Sequence, residues 1–413
     1  MLATLNACGG GGHGSADAGE LDAKVDAKVD AGIDMDATGA PDAEMGDASE
    51  VMANDAGSTA PDGGVASCKP FVMPSGVDCS PPAGAPLPRN LRCTGLYGDF
   101  DQRTIACGLL EYKPAIELWS DGAVKRRFVS VPDGQKVDVS HPDNFVYPVG
   151  TRFWKEFRVK NAAGQLRMAE TRLLQKSEDG WIYTSYVWSE DEAEAIQMDN
   201  AVGVPHLYDT GHTVPNRDQC GDCHKGRDDF VLGWDAIMLG PGAEGITRDR
   251  LVELGLAADA SGLQLSIPGD DVERAALGYL HANCGVSCHN RSPIASAKDS
   301  GLFLKLEAAK LGSVFATDAV ITAMNKPAAP NAKLDGLPLA PDAYLDIRPG
   351  DPEHSLLLAR QLLRGYEAQM PRIATNVVDD AGVQITRRWI ESMSVDGGYP
   401  PPGADAGYAS QPP

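Results

Sequence analysis

The chain has 413 residues, of which 23% are charged, and a formal net charge of -22 at pH 7. This length allows two or three domains and a sizeable buried core. The excess of acidic residues argues against nucleic-acid binding, which needs a basic surface, so no nucleic acid is expected as a partner.

Residues 1–67 are predicted to form a tether. Leu5-Asn6-Ala7-Cys8 resembles the lipobox of bacterial lipoproteins, so Cys8 is a candidate lipid anchor and the only membrane attachment expected; the alternative is a free cysteine. Residues 9–67 carry ten Asp and three Glu against two Lys, with few large apolar groups, which predicts a disordered and self-repelling segment. The composition resembles the Asp/Ala-rich leaders of myxobacterial surface lipoproteins.

Residues 68–200 are predicted to contain a disulfide-stapled segment followed by an antiparallel β domain. Four cysteines in a proline-rich stretch imply two disulfides in one of three connectivities: Cys68, Cys79, Cys93 and Cys107. Because disulfides persist in oxidising compartments, they favour the periplasm or the cell surface.

Short runs rich in β-branched and aromatic residues predict the strands of a sandwich or barrel. These runs are residues 124–131, 136–139, 151–159, 166–174 and 181–188. Four tryptophans are expected to fill the β core: Trp119, Trp154, Trp181 and Trp188. After the last strand, Ser189-Glu190-Asp191-Glu192 predicts the capped start of a short helix that runs to Met198.

The sequence beyond Pro215 is typical of helices. Asn216, Thr247 and Asp270 are predicted N-caps, and Asp351-Pro352 is predicted to open a helix that runs to Arg364. Residues 383–393 predict an amphipathic helix. The predicted divisions are a first cofactor module at residues 201–265, a second at 266–395 and a flexible tail at 396–413.

Two cysteine-histidine clusters dominate the helical part. Cys220-Gly221-Asp222-Cys223-His224 has the C-x-x-C-H spacing by which c-type haem is attached. In a helix, positions i, i+3 and i+4 share a face, so two thiols can form thioethers while the imidazole binds the iron. Cys284 and Cys288-His289 repeat the pattern with one additional residue, and Gly285 is expected to relax the backbone there.

Other interpretations of these clusters remain open. A C-x-x-C pair can be a redox dithiol or a structural disulfide, and Cys220, Cys223 and His224 could supply three of four zinc ligands.

Several longer segments resemble a known family. Residues 283–393 resemble a bacterial cytochrome c domain in the order of Cys284, Cys288-His289, a segment at 348–356, Met370-Pro371 and a final Trp389-Ile390 helix. The middle of the chain resembles an uncharacterised family of bacterial dihaem cytochromes c with an N-terminal β domain. Its recurrent pieces are Glu117-Leu118-Trp119-Ser120-Asp121-Gly122, Phe153-Trp154-Lys155-Glu156-Phe157, Glu170-Thr171-Arg172 and Ser185-Tyr186-Val187-Trp188.

The resemblance implies two covalently attached haems c, with iron bound by His224 and His289 and with Met370 on the far side of the second haem. Met238 is the candidate for the far side of the first haem, where His206, His212 and His281 compete with it.

The expected fold class is α+β multidomain, with an N-terminal antiparallel β domain followed by α-helical cytochrome c-like haem domains. The expected function is one-electron transfer to and from other redox proteins in the periplasm or at the cell surface. The alternatives are a peroxidase-like dihaem enzyme with one five-coordinate haem and a zinc-binding structural surface protein.

Overall fold

Residues 67–198 and 201–393 are described by the structure, which is a computed structural model. The predictions for Cys8, for nearly all of the tether and for the tail at 396–413 lie outside these residues.

The N-terminal segment contains a separate pair of strands, β1 and β2. An antiparallel sheet of six strands follows it. The strands are β1 (Tyr97–Asp99), β2 (Thr104–Ile105), β3 (Leu110–Glu111), β4 (Val124–Ser130), β5 (Arg152–Lys160), β6 (Leu166–Ser177), β7 (Gly180–Trp188) and β8 (Ala195–Gln197). Strands β3 to β8 pair in chain order, so the β part is a meander in one sheet. The predicted sandwich or barrel is therefore wrong, whereas an antiparallel β part followed by helices is confirmed.

Both faces of this sheet are covered, which explains why its strands resemble those of a sandwich. Phe128 pairs with Trp154 on the face that packs against the N-terminal segment, and Val129 pairs with Phe153 on the face that packs against the helical part. Since side chains alternate along a strand, neighbouring apolar residues serve two different cores.

Two of the predicted local structures are wrong. Residues 136–139 form no strand, because Asp138 makes only an isolated bridge with Val146. Residues 189–194 form a turn rather than a helix start, and the chain continues into β8. Asp191 Oδ1 accepts the Ala193 N–H at 3.0 Å, so the polar side chains that could cap a helix stabilise the turn.

The two predicted disulfides are present in one of the three connectivities left open. Cys68 is bonded to Cys107 and Cys79 to Cys93. They bind the irregular N-terminal segment to itself next to the core that contains Leu91, Leu96 and Phe128.

The helices are α1 (Arg217–His224), α2 (Arg248–Glu253), α3 (Asp271–Leu280), α4 (Asp318–Ala323), α5 (Leu356–Leu362) and α6 (Asp380–Ser392). Asn216, Thr247 and Asp270 cap α1, α2 and α3 as predicted. The helix expected after Asp351 is divided into a 3₁₀ turn, Pro352–His354, and α5. Within the described residues, no helix has the length and apolar character needed to cross a membrane.

Candidate functional site

The first cysteine-histidine cluster lies on α1. The Asn216 side chain accepts the Gln219 N–H at 2.9 Å while Gln219 Oε1 accepts the Asn216 N–H at 3.0 Å, and this reciprocal cap fixes where the helix begins. From that start, Cys220, Cys223 and His224 all line one cavity, which we call the first cavity. Its empty volume is about 1130 Å³, which includes the solvent at its open mouth.

His224 is held through one ring nitrogen. Its Nδ1 lies 2.7 Å from the Phe230 carbonyl oxygen, and its ring stacks on the Phe230 ring with centroids 4.9 Å apart. Burial lowers the pKa of His224 to about 4, so the imidazole is neutral and Nε2 is left for another partner. Metal-binding histidines use this arrangement, in which the second nitrogen donates to a carbonyl.

Phe230 was missed by the sequence analysis. Its backbone is left-handed, with φ of 65°, which is unfavourable for a bulky residue. The conformation occurs where its carbonyl meets His224, and strained backbone of this kind concentrates at functional sites. No sequence signal marks the position.

The second cluster begins at the end of α3, where the chain forms a π-helical turn, His281–Gly285. Val286 N donates to His281 O at 2.9 Å and His289 N donates to Cys284 O at 2.9 Å, and both bonds span five residues. A π turn takes up one residue more than an α turn, so it accommodates the additional residue of the C-x-x-x-C-H motif.

Gly285 is needed in this turn for a reason other than the predicted one. Its φ is not positive, but a Cβ placed on it would lie 2.4 Å from the Lys305 backbone nitrogen. The close approach of the chain at Lys305, rather than backbone freedom, therefore requires glycine.

His289 has the same arrangement as His224. Its Nδ1 lies 3.1 Å from the Leu302 carbonyl oxygen, and burial lowers its pKa to about 4. Cys284, Cys288 and His289 line a second cavity with an empty volume of about 1700 Å³, again including its mouth. Both clusters thus present two thiols and one neutral, carbonyl-bound imidazole to a cavity.

A predicted methionine lines each cavity, Met238 the first and Met370 the second. Among the competing histidines only His212 lines the first cavity, and its Nε2 is bonded to Glu170 Oε1 at 2.9 Å. His281 Nδ1 accepts the Leu306 N–H at 2.9 Å, and His206 is exposed. Of the four candidates, only Met238 and His212 therefore line the first cavity, and His212 is already bonded to Glu170.

The two cavities adjoin. Five residues line both of them, and we call these the shared wall: Leu118, Trp119, Gln219, Cys223 and Ile373. Next to the wall, Ser296 Oγ donates to the Asp222 carbonyl at 3.0 Å. A Cβ on Gly226 would lie 1.9 Å from the Ser287 carbonyl oxygen, so the segments that carry the two motifs are in backbone contact.

The prediction that Trp119 fills the β core is wrong. Trp119 lies in the shared wall, whereas Trp154 and Trp188 are found in the β core. Trp119 N donates to Asn283 Oδ1 at 2.6 Å and its Nε1 donates to the Val377 carbonyl at 3.1 Å. Trp119 thus connects the residue before Cys284 with the chain that follows Met370.

Asp121 holds the same loop. Its Oδ1 accepts the backbone N–H groups of Asn376 and Val377, both at 2.8 Å. These contacts give the Glu117 to Asp121 segment a structural role between the β part and the second cavity.

The second cavity also contains polar groups suited to a ligand. Gln361 is 4% exposed and lines the cavity, yet within the described chain neither amide atom has a hydrogen-bond partner. Arg360 lines it as well, and burial raises the pKa of the nearby Asp346 to about 7. Buried side-chain amides without a partner are rare in folded proteins, and both amide atoms of Gln361 are available to a ligand.

The structure gives little support to the redox-dithiol, disulfide and zinc interpretations of the cysteines. Cys220, Cys223, Cys284 and Cys288 are unpaired, and burial, then the neighbouring Cys288, raises the pKa of Cys223 to about 12, the opposite of a reactive dithiol. Across residues 67–198 and 201–393, no three His, Cys, Asp or Glu side chains are grouped as a metal site would require. No protein-family model, curated protein or solved structure matches the chain.

Proposed function

We propose that the protein is a dihaem c-type cytochrome that transfers single electrons between other redox proteins. The observation that carries the proposal is the repeated arrangement of the two cavities. Each is lined by two cysteines and a histidine from one segment and by a methionine from another segment of the chain.

The protein would contribute attachment, ligation and exclusion of water. Cys220 and Cys223, and Cys284 and Cys288, would form the thioethers, while His224 and His289 present Nε2 because Phe230 and Leu302 accept from Nδ1. When bound, haem iron exchanges one electron between its ferric and ferrous states, and methionine as the second ligand raises its reduction potential. Met238 is 2% exposed, so the ligand on that side is shielded from solvent.

The test is haem quantification of protein matured in a periplasm that has a haem c assembly system, combined with the ferric absorption spectrum. Two haems per chain, both low-spin and with a sulfur-to-iron charge-transfer band, are the expected result. One haem would show that the longer motif attaches none. Protein that matures without haem and binds stoichiometric zinc would overturn the proposal.

A high-spin fraction together with peroxide turnover would favour the peroxidase-like enzyme instead. In that outcome one haem has an open coordination position. The effect of Met238→Leu on the spectrum would show whether it is the haem of the first cavity or that of the second.

We further propose that the protein works in the periplasm or at the outer membrane and cell surface, anchored by a lipid on Cys8. The two disulfides support an oxidising compartment. Radiolabelled palmitate should be incorporated into the wild-type protein in its host and lost in Cys8→Ser, and labelling that survives this substitution would contradict the anchor.

A further inference from the structure

Three basic side chains form a row across the sheet where it meets the first cavity. Arg127 on β4 pairs directly with Lys155 on β5, and Lys155 pairs directly with Arg172 on β6. All three line the cavity. Like charges directly opposite each other on adjacent strands destabilise a sheet, so this row requires compensating negative charge.

On this face the row is flanked by apolar residues and also by Lys125 and Glu170. On one side of it are Val129 and Phe153, and on the other is Phe157, all buried. Arg127 is buried while Lys155 and Arg172 are half-buried, and a charge removed from water is costly unless it is paired.

The protein supplies only part of the compensation. Glu117 Oε2 lies 2.7 Å from Arg127 Nη2, and Glu170 bonds Arg172 through Oε2 at 3.0 Å. Glu170 also bonds His212, and although burial opposes it, Arg172 brings the pKa of Glu170 down to about 2. Both carboxylates are therefore ionised and already engaged.

Two donors of the row, on Arg127 and Lys155, have no carboxylate partner within the described residues. Arg127 is 4% exposed, and its Nη1 has no hydrogen-bond partner within the described residues. Lys155 packs over the Phe157 ring, 4.8 Å from its centroid, and makes no ion pair within the described part of the chain. Burial, and then Arg127 and Lys125, lower the pKa of Lys155 well below its usual value.

We propose that the row Arg127, Lys155 and Arg172 binds the propionate carboxylates of the haem attached at Cys220 and Cys223. The assignment rests on the proposed function. It gives the β part a specific task, because the strands β4 to β6 then provide the anion-binding side of the first haem site while α1 provides its attachment. Carboxylate is the chemistry that arginine and lysine donors in a partly buried row would select.

The first experiment is Lys155→Gln in the full-length, haem-loaded protein, with Lys160→Gln as the matched control on an exposed position of the same strand. Removing a positive charge beside a haem favours the ferric state, so Lys155→Gln should lower the reduction potential of one haem and leave the other unchanged. Lys160→Gln should change neither, and Lys155→Arg, which keeps the charge, should retain the wild-type value. Equal potentials in all four proteins would overturn the proposal.

A second readout identifies the carboxylates. Haem labelled with carbon-13 at its propionate carboxyl groups should give isotope-sensitive bands in the oxidised-minus-reduced infrared spectrum, and these bands should shift in Lys155→Gln but not in Lys160→Gln. Bands that do not shift would overturn the propionate assignment. So would a wild-type potential that depends on added acetate at constant ionic strength, because a free anion would then occupy the row.

Haem quantification distinguishes a failure of the propionate site from a failure of the proposed function. Two haems per chain with no effect of Lys155→Gln would overturn only the propionate site. A chain that matures without haem would overturn both.

Discussion

The hydrogen bonds of single side chains determine which atoms face the two cavities. His224 ends α1 and His289 lies beyond the π-helical turn, yet each contacts a downstream carbonyl through Nδ1. Because that nitrogen is engaged, the tautomer and the ring orientation are fixed before any ligand binds.

The two cavity methionines can be tested by replacements that keep their volume. Met238→Leu and Met370→Leu should each retain two haems, lower the potential of one haem and remove about half of the charge-transfer absorption, because leucine has no sulfur to bind iron. Spectroelectrochemical titration measures both quantities. Met168→Leu is the control, since Met168 is buried in the core on the far side of the sheet. Spectra that are the same in all four proteins would contradict ligation by either methionine.

Gly226 is the residue through which the two motif segments meet, and alanine should be poorly tolerated there. Its Cβ would lie 1.9 Å from the Ser287 carbonyl oxygen, so we expect a loss of roughly 1–3 kcal/mol in the free energy of unfolding. Denaturant unfolding of the mature protein measures this.

Gly262→Ala is the control for that substitution, because its Cβ would have no atom within 4 Å. A neutral or slightly stabilising effect is expected there. Equal stabilities of the two variants would contradict the close contact at Ser287.

Local signals in the sequence predicted residues whose role is local. The capping residues Asn216, Thr247 and Asp270 lie where expected, because a cap depends on a few neighbouring positions. Trp119 could not be placed, because its partners Asn283 and Val377 are more than 160 residues away in the chain. The row on the sheet had one signal in the sequence: Arg127, Lys155 and Arg172 are charged residues inside predicted strands.

Most elements of secondary structure were predicted by type and position, but their assembly was not. The periodicity of β4 to β7 shows two apolar faces, and it does not say whether a second sheet or helices will cover them. The π turn His281–Gly285 was also beyond sequence reasoning, although the additional residue between Cys284 and Cys288 pointed to an irregularity there.

The loop after Met370 depends on an element of the β part, and Asp121 provides the test. Asp121→Ala removes the acceptor of two backbone N–H groups, which should cost roughly 1–3 kcal/mol of stability and weaken the charge-transfer absorption of the Met370 site. Asp121→Asn retains an acceptor oxygen in the same place and should behave much more like the wild type. If alanine and asparagine give the same spectrum, the anchoring role is wrong.

At the scale of the whole molecule, the two disulfides constrain the segment that covers one face of the sheet. In the chain-entropy model a longer loop gives more stabilisation, so the bridge with a sequence separation of 39, Cys68–Cys107, should contribute about 4 kcal/mol and the bridge with a separation of 14, Cys79–Cys93, about 3 kcal/mol. Paired Cys→Ala variants, unfolded in denaturant, measure the difference. A larger loss for the shorter loop would contradict this ranking.

The contacts of Trp119 and Asp121 limit how far the second cavity can exist independently. A fragment that began at residue 266 would keep Cys284, Cys288, His289 and Met370, but it would lose the indole that lines the cavity and the carboxylate that holds its loop. The cavity is therefore not self-sufficient. Grafting only the helical half onto another scaffold would transfer the cysteines, histidine and methionine of this cavity without the wall that encloses them.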